Sequence, residues 1–343
     1  AADCTTAGSY DSVVYCSVCN AEMSRETVAV EAPGHNYVDG TCSVCGATSV
    51  LTDSKLVFAG SAGLSFQDYI GIQLMFQNSK AKNYDKYYVE ITQITPEGPV
   101  TTISAGAPFP GYETTFTLFE QQIVSWSMTE QVTMTLYAEK DGVKYQGASI
   151  TTTVEELALE KAAGYAGNDE ARCRTMVDVL NYGAAVQIAF EHNAANLPNT
   201  KLGDLAQYGT QTQPEMTAEN TTSGSGAAKV AANNISLQDK VEFNFMVKDT
   251  TLETYTPKAT LNGAEVALNY TDLGNGYTVV RVAIGAANMR TTYTFALYDA
   301  NGNVASKVYN VSAEAYAKSL LTGTTGAAYV AMMQYGDSVA SIK

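Results

Sequence analysis

Beyond Leu51 the apolar residues fall in short alternating runs broken by turn signals, the spacing that sends successive side chains to opposite faces of a strand. It predicts strands over Lys55–Phe58, Tyr69–Gln77, Tyr87–Ile94, Thr114–Leu118, Gln131–Ala138 and Lys144–Thr152, together one β-sandwich. Between the last two, Asp141-Gly142 favours the positive φ angles of a tight hairpin. At Thr153 the period changes. Thr153 and Glu156 have the spacing of a capping box, and a first helix follows to near Gly164. Asn168, with Asp169 and Glu170 behind it, predicts the start of a second helix through Phe190, whose Val177, Leu180, Ala184 and Ile188 form one apolar stripe. Thr200–Tyr208 adds a short turn ending at Gly209, and Thr221–Gly226 reads as a flexible linker or long loop.

The second half repeats this order. Leu64-Ser65-Phe66-Gln67-Asp68 matches Ile235-Ser236-Leu237-Gln238-Asp239, and each precedes an alternating strand, the second over Val241–Val247. Met134–Tyr137 ahead of Asp141-Gly142 matches Phe295–Tyr298 ahead of Asn301-Gly302. The switch from strand to helix at Thr151–Leu159 matches Tyr309–Lys318, and Leu180-Asn181-Tyr182-Gly183 matches Met333-Gln334-Tyr335-Gly336. Each unit is therefore expected to be an Ig-like β-sandwich followed by a helical pair, with Gly183 and Gly336 letting a helix approach its neighbour closely. The second copy stops at Lys343 before any counterpart of Phe190–Gly209, and the chain begins abruptly at Ala1-Ala2-Asp3-Cys4, so a piece of a longer polypeptide is expected.

The first 48 residues differ from the rest. They hold five of the six cysteines and one of the two histidines, with few long apolar side chains. So small a segment cannot offset its chain entropy by burial alone and needs a metal or disulfides. The expected organisation is a Cys/His-rich head over 1–48, a first unit over 49–216 and a second over 217–343, mainly β with helices. Charged residues make up 16% of the chain, below the usual ~25% of soluble proteins, as in extracellular β-rich proteins. A net charge of −15 leaves no basic footprint for nucleic acid or anionic lipid, and no apolar run is long enough for a membrane span.

In the head, Cys16-x-x-Cys19 and Cys42-x-x-Cys45 are separated by 22 residues, the two-knuckle layout of a structural zinc site in which each turn gives two thiolates to a tetrahedron. Five cysteines cannot all pair as disulfides within the head, whereas four on zinc with Cys4 spare would be consistent. Disulfides remain the alternative in an oxidising exterior. No ligand position is left open for catalysis in either case.

Tyr15-Cys16-Ser17-Val18-Cys19, Ala32-Pro33-Gly34-His35-Asn36-Tyr37 and Gly40-Thr41-Cys42-Ser43-Val44-Cys45-Gly46, with Cys4–Tyr10, resemble a short Cys/His repeat of large modular surface proteins of anaerobic gut Firmicutes. Leu180–Ala185 with Asn196-Leu197 is similar to a recurrent segment of the same proteins. The resemblance implies an extracellular, cell-surface location and a modular habit, but no activity. It also implies a second ligand set, Cys4, Cys16, Cys19 and His35, leaving Cys42 and Cys45 for a disulfide or a second site.

Signals for catalysis are sparse. The chain holds no Gly-x-Ser-x-Gly elbow, Walker loop, dinucleotide fingerprint or His-Glu-x-x-His, and no enzyme is expected. His192 reads as a residue at a helix C-terminus, where the dipole favours partial charge, and Cys173 as a small buried apolar residue. Asp299–Asn303 and Asp272–Gly276 resemble the start of a calcium loop, but no bidentate Glu follows, so both read as turns. Four Asn-x-Ser/Thr sequons, at Asn220, Asn234, Asn269 and Asn310, are ordinary in a chain rich in Thr and Asn. Twenty-two tyrosines and one tryptophan could stack on sugar rings, with Trp126 and Tyr84, Tyr87 and Tyr88 as the candidates. The expected role is a non-catalytic surface or adhesion module with a host or bacterial surface protein as partner; the alternative is a polysaccharide-binding protein.

Overall fold

The computed structural model describes residues 3–38, 40–237 and 240–342. Four short strands build the head: β1 (Gly8–Tyr15) and β2 (Glu22–Val30) form an antiparallel ribbon, and β3 (Tyr37–Val38) pairs with β4 (Thr41–Cys42). Arg25 holds the ribbon's register by bridging Asp11 across the strands at 2.7 Å, and Thr27 donates to the same carboxylate. Almost every described head residue is at least partly exposed; the two buried ones are Cys4 and Cys42.

The first unit contains β5 (Val50–Thr52), β6 (Gly63–Phe66), β7 (Ile70–Gln77), β8 (Lys86–Thr95), β9 (Gly98–Ser104), β10 (Ala107–Pro108), β11 (Phe116–Ile123), β12 (Val132–Lys140) and β13 (Val143–Thr152). One sheet runs β10-β11-β7-β6 and the other β5-β13-β12-β8-β9. Their facing positions alternate as period two requires, with Ile72, Leu74 and Phe76 of β7 meeting Val89 and Ile91 of β8 in one buried cluster. Asp141 and Gly142 turn the β12–β13 hairpin at φ 49° and 77°, as their types demand.

Helices α1 (Val154–Tyr165) and α2 (Glu170–Ala189) follow. Thr153 caps α1 as predicted, its side chain accepting from Glu156 N while Glu156 accepts from Thr153 N. The cap of α2 is Asp169, one residue past the predicted Asn168, because its carboxylate reaches Arg172 N.

The second unit has β14 (Thr221–Ser223), β15 (Val230–Ser236), β16 (Glu242–Lys248), a single helical turn α3 (Asp249–Leu252), β17 (Thr256–Leu261), β18 (Ala264–Val266), β19 (Asn269–Asp272), β20 (Tyr277–Ala283), β21 (Tyr293–Tyr298), β22 (Val308–Val311), α4 (Ala313–Leu320) and α5 (Gly326–Ser341). Its sheets run β19-β20-β16-β15 and β14-β22-β21-β17-β18, strand for strand the order of the first unit. The copies differ at one edge, where β5 joins β13 parallel and β14 joins β22 antiparallel. In the repeated phrase, Gln238 and Asp239 lie outside the described residues.

Three predicted elements are corrected. Lys55–Phe58 is no strand: Leu56 O accepts from Ala148 N at 2.7 Å, and the segment lies over Gly147, where a Cβ would meet that carbonyl at 2.3 Å. The strand expected at Thr114–Leu118 is β11, which runs on to Ile123 through its ladder with β7. The expected linker starts with edge strand β14, and its Gly226 is pressed against Ala305 O, where a Cβ would sit 1.9 Å away.

The units join through α2 and α5 by a reciprocal contact. Tyr182 stacks on Tyr335 at 5.4 Å and 7°, and these are equivalent residues of the two copies. Ser125 Oγ donates to Leu237 O at 3.0 Å, and Ala286 N donates to Gln67 O, the equivalent loop of one unit reaching the equivalent strand end of the other each time. Gly183 lies against Met128 and Gly336 against Met289, so the predicted close approach of each helix is made to its own unit's loop. Lys240 closes the junction on Asp68 at 3.3 Å, beside a cavity of about 20 Å³, room for one water.

Candidate metal centre and aromatic groove

Both Cys-x-x-Cys turns fold the same way. Cys16 N donates to Ala21 O at 2.8 Å and Asn20 N to Cys16 O at 2.9 Å; Cys42 N donates to Ala47 O at 2.7 Å and Gly46 N to Cys42 O at 2.9 Å. Each turn leaves through a left-handed residue, Asn20 at φ 57° and Gly46 at φ 75°, where Gly and Asn are least strained. Such a turn points backbone N–H groups at its first sulfur. Those of Cys45 and Val44 hold the Cys42 thiol down to about 5, and those of Cys19 and Val18 lower Cys16.

The cluster brings together Cys4, His35, Cys42 and Cys45, with one ligand atom of each within 4.8 Å of all the others. Cys4 Sγ lies 3.8 Å from Cys42 Sγ, and Cys45 Sγ 3.3 Å from His35 Nδ1. Two sulfurs at about 2.3 Å from a common tetrahedral ion are about 3.8 Å apart, so the donor set fits a four-coordinate metal. The same separation is nearly twice a disulfide bond, and all six cysteines are free. Burial pushes the Cys4 thiol up to about 12, so a metal must displace its proton.

This donor set takes half of each predicted one. Cys42 and Cys45 come from the two-knuckle reading, Cys4 and His35 from the set implied by the resemblance. Cys16 and Cys19 are not members, because the β1–β2 ladder from Gly8–Val30 onward carries their turn to the ribbon's far end.

The aromatic candidates do not converge. Tyr87 faces inward between Phe76 and Phe119 and hydrogen-bonds Thr117 at 2.7 Å. Tyr84 hydrogen-bonds Asp53 and meets Tyr145 edge-on. Tyr88, on the outer face of β8, stacks on Tyr137 at 5.8 Å, and Lys144 Nζ lies 3.7 Å over the Tyr137 ring. Trp126 stands apart on the turn after β11. It is half-buried and stacked on His192 at 4.4 Å and 16°. Sequence reading missed that pairing, since 66 positions separate the rings and only the fold of the segment after α2 returns His192 to the loop. The two rings border a groove of two adjoining hollows, about 370 and 650 Å³, that share Thr95, Glu97, Glu130 and Asn193. Cys173 is buried, as expected, and its thiol donates to Ala162 O. Asp299 accepts from the backbone of Asn301 and Asn303, so its carboxylate builds a turn.

Among the described residues no helix is long and apolar enough to cross a membrane. Comparison with known protein families and with curated proteins finds no match.

Proposed function

We propose that this chain is a non-catalytic module of an extracellular bacterial surface protein, a scaffold that spaces or presents adhesive parts, with a structural zinc ion organising its head. The observation that carries the reading is the reciprocal packing of two units of one topology through Tyr182 and Tyr335. Packing of this kind puts the repeated geometry into a buried contact, which fixes spacing and resists extension. The resemblance of the head to surface-protein repeats supports the location. Three thiolates and one imidazole, with no open position, suit zinc in a structural role.

A second reading, polysaccharide binding, is favoured by the groove beside Trp126. Against it, His192 covers one face of the indole, and Lys144 covers the Tyr88–Tyr137 pair. The two readings separate in a retention assay of the purified chain on insoluble and soluble polysaccharides, mucin and host extracellular proteins, run beside Trp126→Ala. The scaffold reading expects no glycan retention. Retention on a glycan that Trp126→Ala abolishes overturns it in favour of carbohydrate binding.

A further inference from the structure

The Cys16–Cys19 turn has the hydrogen bonds and left-handed exit of the Cys42–Cys45 turn, yet no third His, Cys, Asp or Glu joins it among the described residues. Two sulfur ligands are half of a tetrahedron. The turn also sits where it can find the other half outside its own chain. It is the tip of a ribbon eight residue pairs long whose side chains are exposed on both faces. An isolated two-stranded ribbon is marginal in water, so its persistence calls for a partner. Around the tip four large apolar side chains are exposed, Val18 at 93%, Met23 at 70%, Val14 at 54% and Tyr15 at 52%, beside the polar Ser17, Asn20 and Glu22. Exposed apolar side chains close to two thiols make a surface that gains by being covered.

We propose that Cys16 and Cys19 form one half of an intermolecular metal site, in which a second copy of this chain supplies its own Cys16 and Cys19 and one zinc ion is held by four thiolates. The second copy is the occupant because it carries the same two-ligand deficit, with Val18 and Met23 exposed at the same tip, so that a two-fold contact satisfies both copies at once. Four thiols lose their protons to solvent as the ion binds, with no change of oxidation state. This inference goes beyond the scaffold reading and does not depend on it; it makes the head a zinc-dependent self-association contact.

The test is sedimentation velocity of the intact chain under reducing conditions, stripped with chelator and then titrated with zinc, beside Cys16→Ser/Cys19→Ser and Cys42→Ser/Cys45→Ser. The wild type should pass from monomer to dimer and take up three zinc ions per two chains. Cys16→Ser/Cys19→Ser should stay monomeric and keep one zinc per chain, with an unchanged circular dichroism spectrum. Cys42→Ser/Cys45→Ser should lose the one-per-chain zinc. A wild type that stays monomeric at saturating zinc overturns the proposal, as does a dimer that survives loss of Cys16 and Cys19. Failure of the head's own site would show separately, as loss of the one-per-chain zinc in Cys16→Ser/Cys19→Ser.

Discussion

The head and the two units are held together by different means. In each unit a sandwich closes over large buried side chains, such as Phe76 and Phe119 in the first and Phe245 stacked on Phe295 at 3.8 Å in the second. Among the described residues of the head the two buried ones are Cys4 and Cys42, both members of the Cys/His cluster. The difference teaches that burial and ligation are alternative ways to offset chain entropy: where the chain has too few apolar residues, the ligand set is the core. The units themselves repeat the lesson on a smaller scale. Glu155 and Glu314 occupy the same helical position, and each backbone N–H donates at 3.0 Å to a methionine carbonyl, of Met128 and Met289. Glu314 accepts from Thr217 N at 2.7 Å and Ala218 N at 3.1 Å and meets Arg290 at 3.3 Å. Glu155 meets the exposed Lys201 with one oxygen, and its other oxygen is buried without a partner.

The largest expected effect breaks the head and spares the units. Chelation should remove hydrogen-exchange protection from residues 3–48 while α2, α5 and both sandwiches keep theirs. Protection lost throughout would mean the units also depend on metal.

Next comes the pair of buried glutamates. Glu314→Gln should cost about 1–3 kcal/mol in chemical denaturation, because it weakens two charge-assisted bonds of a buried carboxylate, while the partly exposed Arg290 keeps its pair with Asp337. Glu155→Gln should cost about 1 kcal/mol or less, since its partner is exposed and one of its oxygens is already unsatisfied. Burial alone would raise Glu314, but the N–H groups of Ala218 and Thr217, with Arg290, hold it below the usual carboxylate range. A depressed folded-state value contributes stability above the unfolded value and loses it as pH falls through the folded one. Acid should therefore weaken the wild type more than Glu314→Gln, so that the gap between them closes at low pH. Equal costs for the two variants at neutral pH would erase the contrast between the units.

The glycines sharpen the opposite point, that the junction is shared equally. A Cβ on Gly183 would lie 2.5 Å from Met128 Sδ and 3.0 Å from Ser125 O, and one on Gly336 2.8 Å from Met289 Sδ and 3.0 Å from Ala286 O. Gly183→Ala and Gly336→Ala should each cost about 1–3 kcal/mol, read as matched shifts in thermal midpoint. A cost confined to one of them would show that the two loops yield differently. Smallest is Trp126→Ala, expected to cost about 1–2 kcal/mol because the indole is half-buried against one ring. Its counterpart by position is Ala287, so the second unit lacks this aromatic pair, and unfolding of the variant should begin in the first unit.

Much of this was legible from local chemistry. Thr153 and Glu156 announce a cap, Asp141-Gly142 a hairpin, and the repeated phrases around Tyr182 and Tyr335 two units of one design. These are features of a few consecutive residues. What was not legible depends on pairing over distance. Nothing in the spacing of Cys16 and Cys19 says that the strands flanking them pair with each other and carry them from Cys42. Nor do Trp126 and His192 show in sequence that a turn and a helix end will meet. Lys55–Phe58 has the alternation of a strand, but Gly147 gives it a surface to lie on, and the ladder edge goes to Val50–Thr52.

The most direct test of the account is zinc content and affinity for Cys4→Ser and Cys16→Ser at one pH, with the wild type measured across about pH 6 to 8. Cys4→Ser should lose the tightly held ion of the monomer and Cys16→Ser should keep it. Wild-type affinity should rise with pH, by up to about tenfold per unit for each proton released, because burial keeps Cys4 protonated until zinc displaces its proton. Loss of the monomer's zinc in Cys16→Ser, with retention in Cys4→Ser, would contradict the ligand set and with it the account of how the head folds.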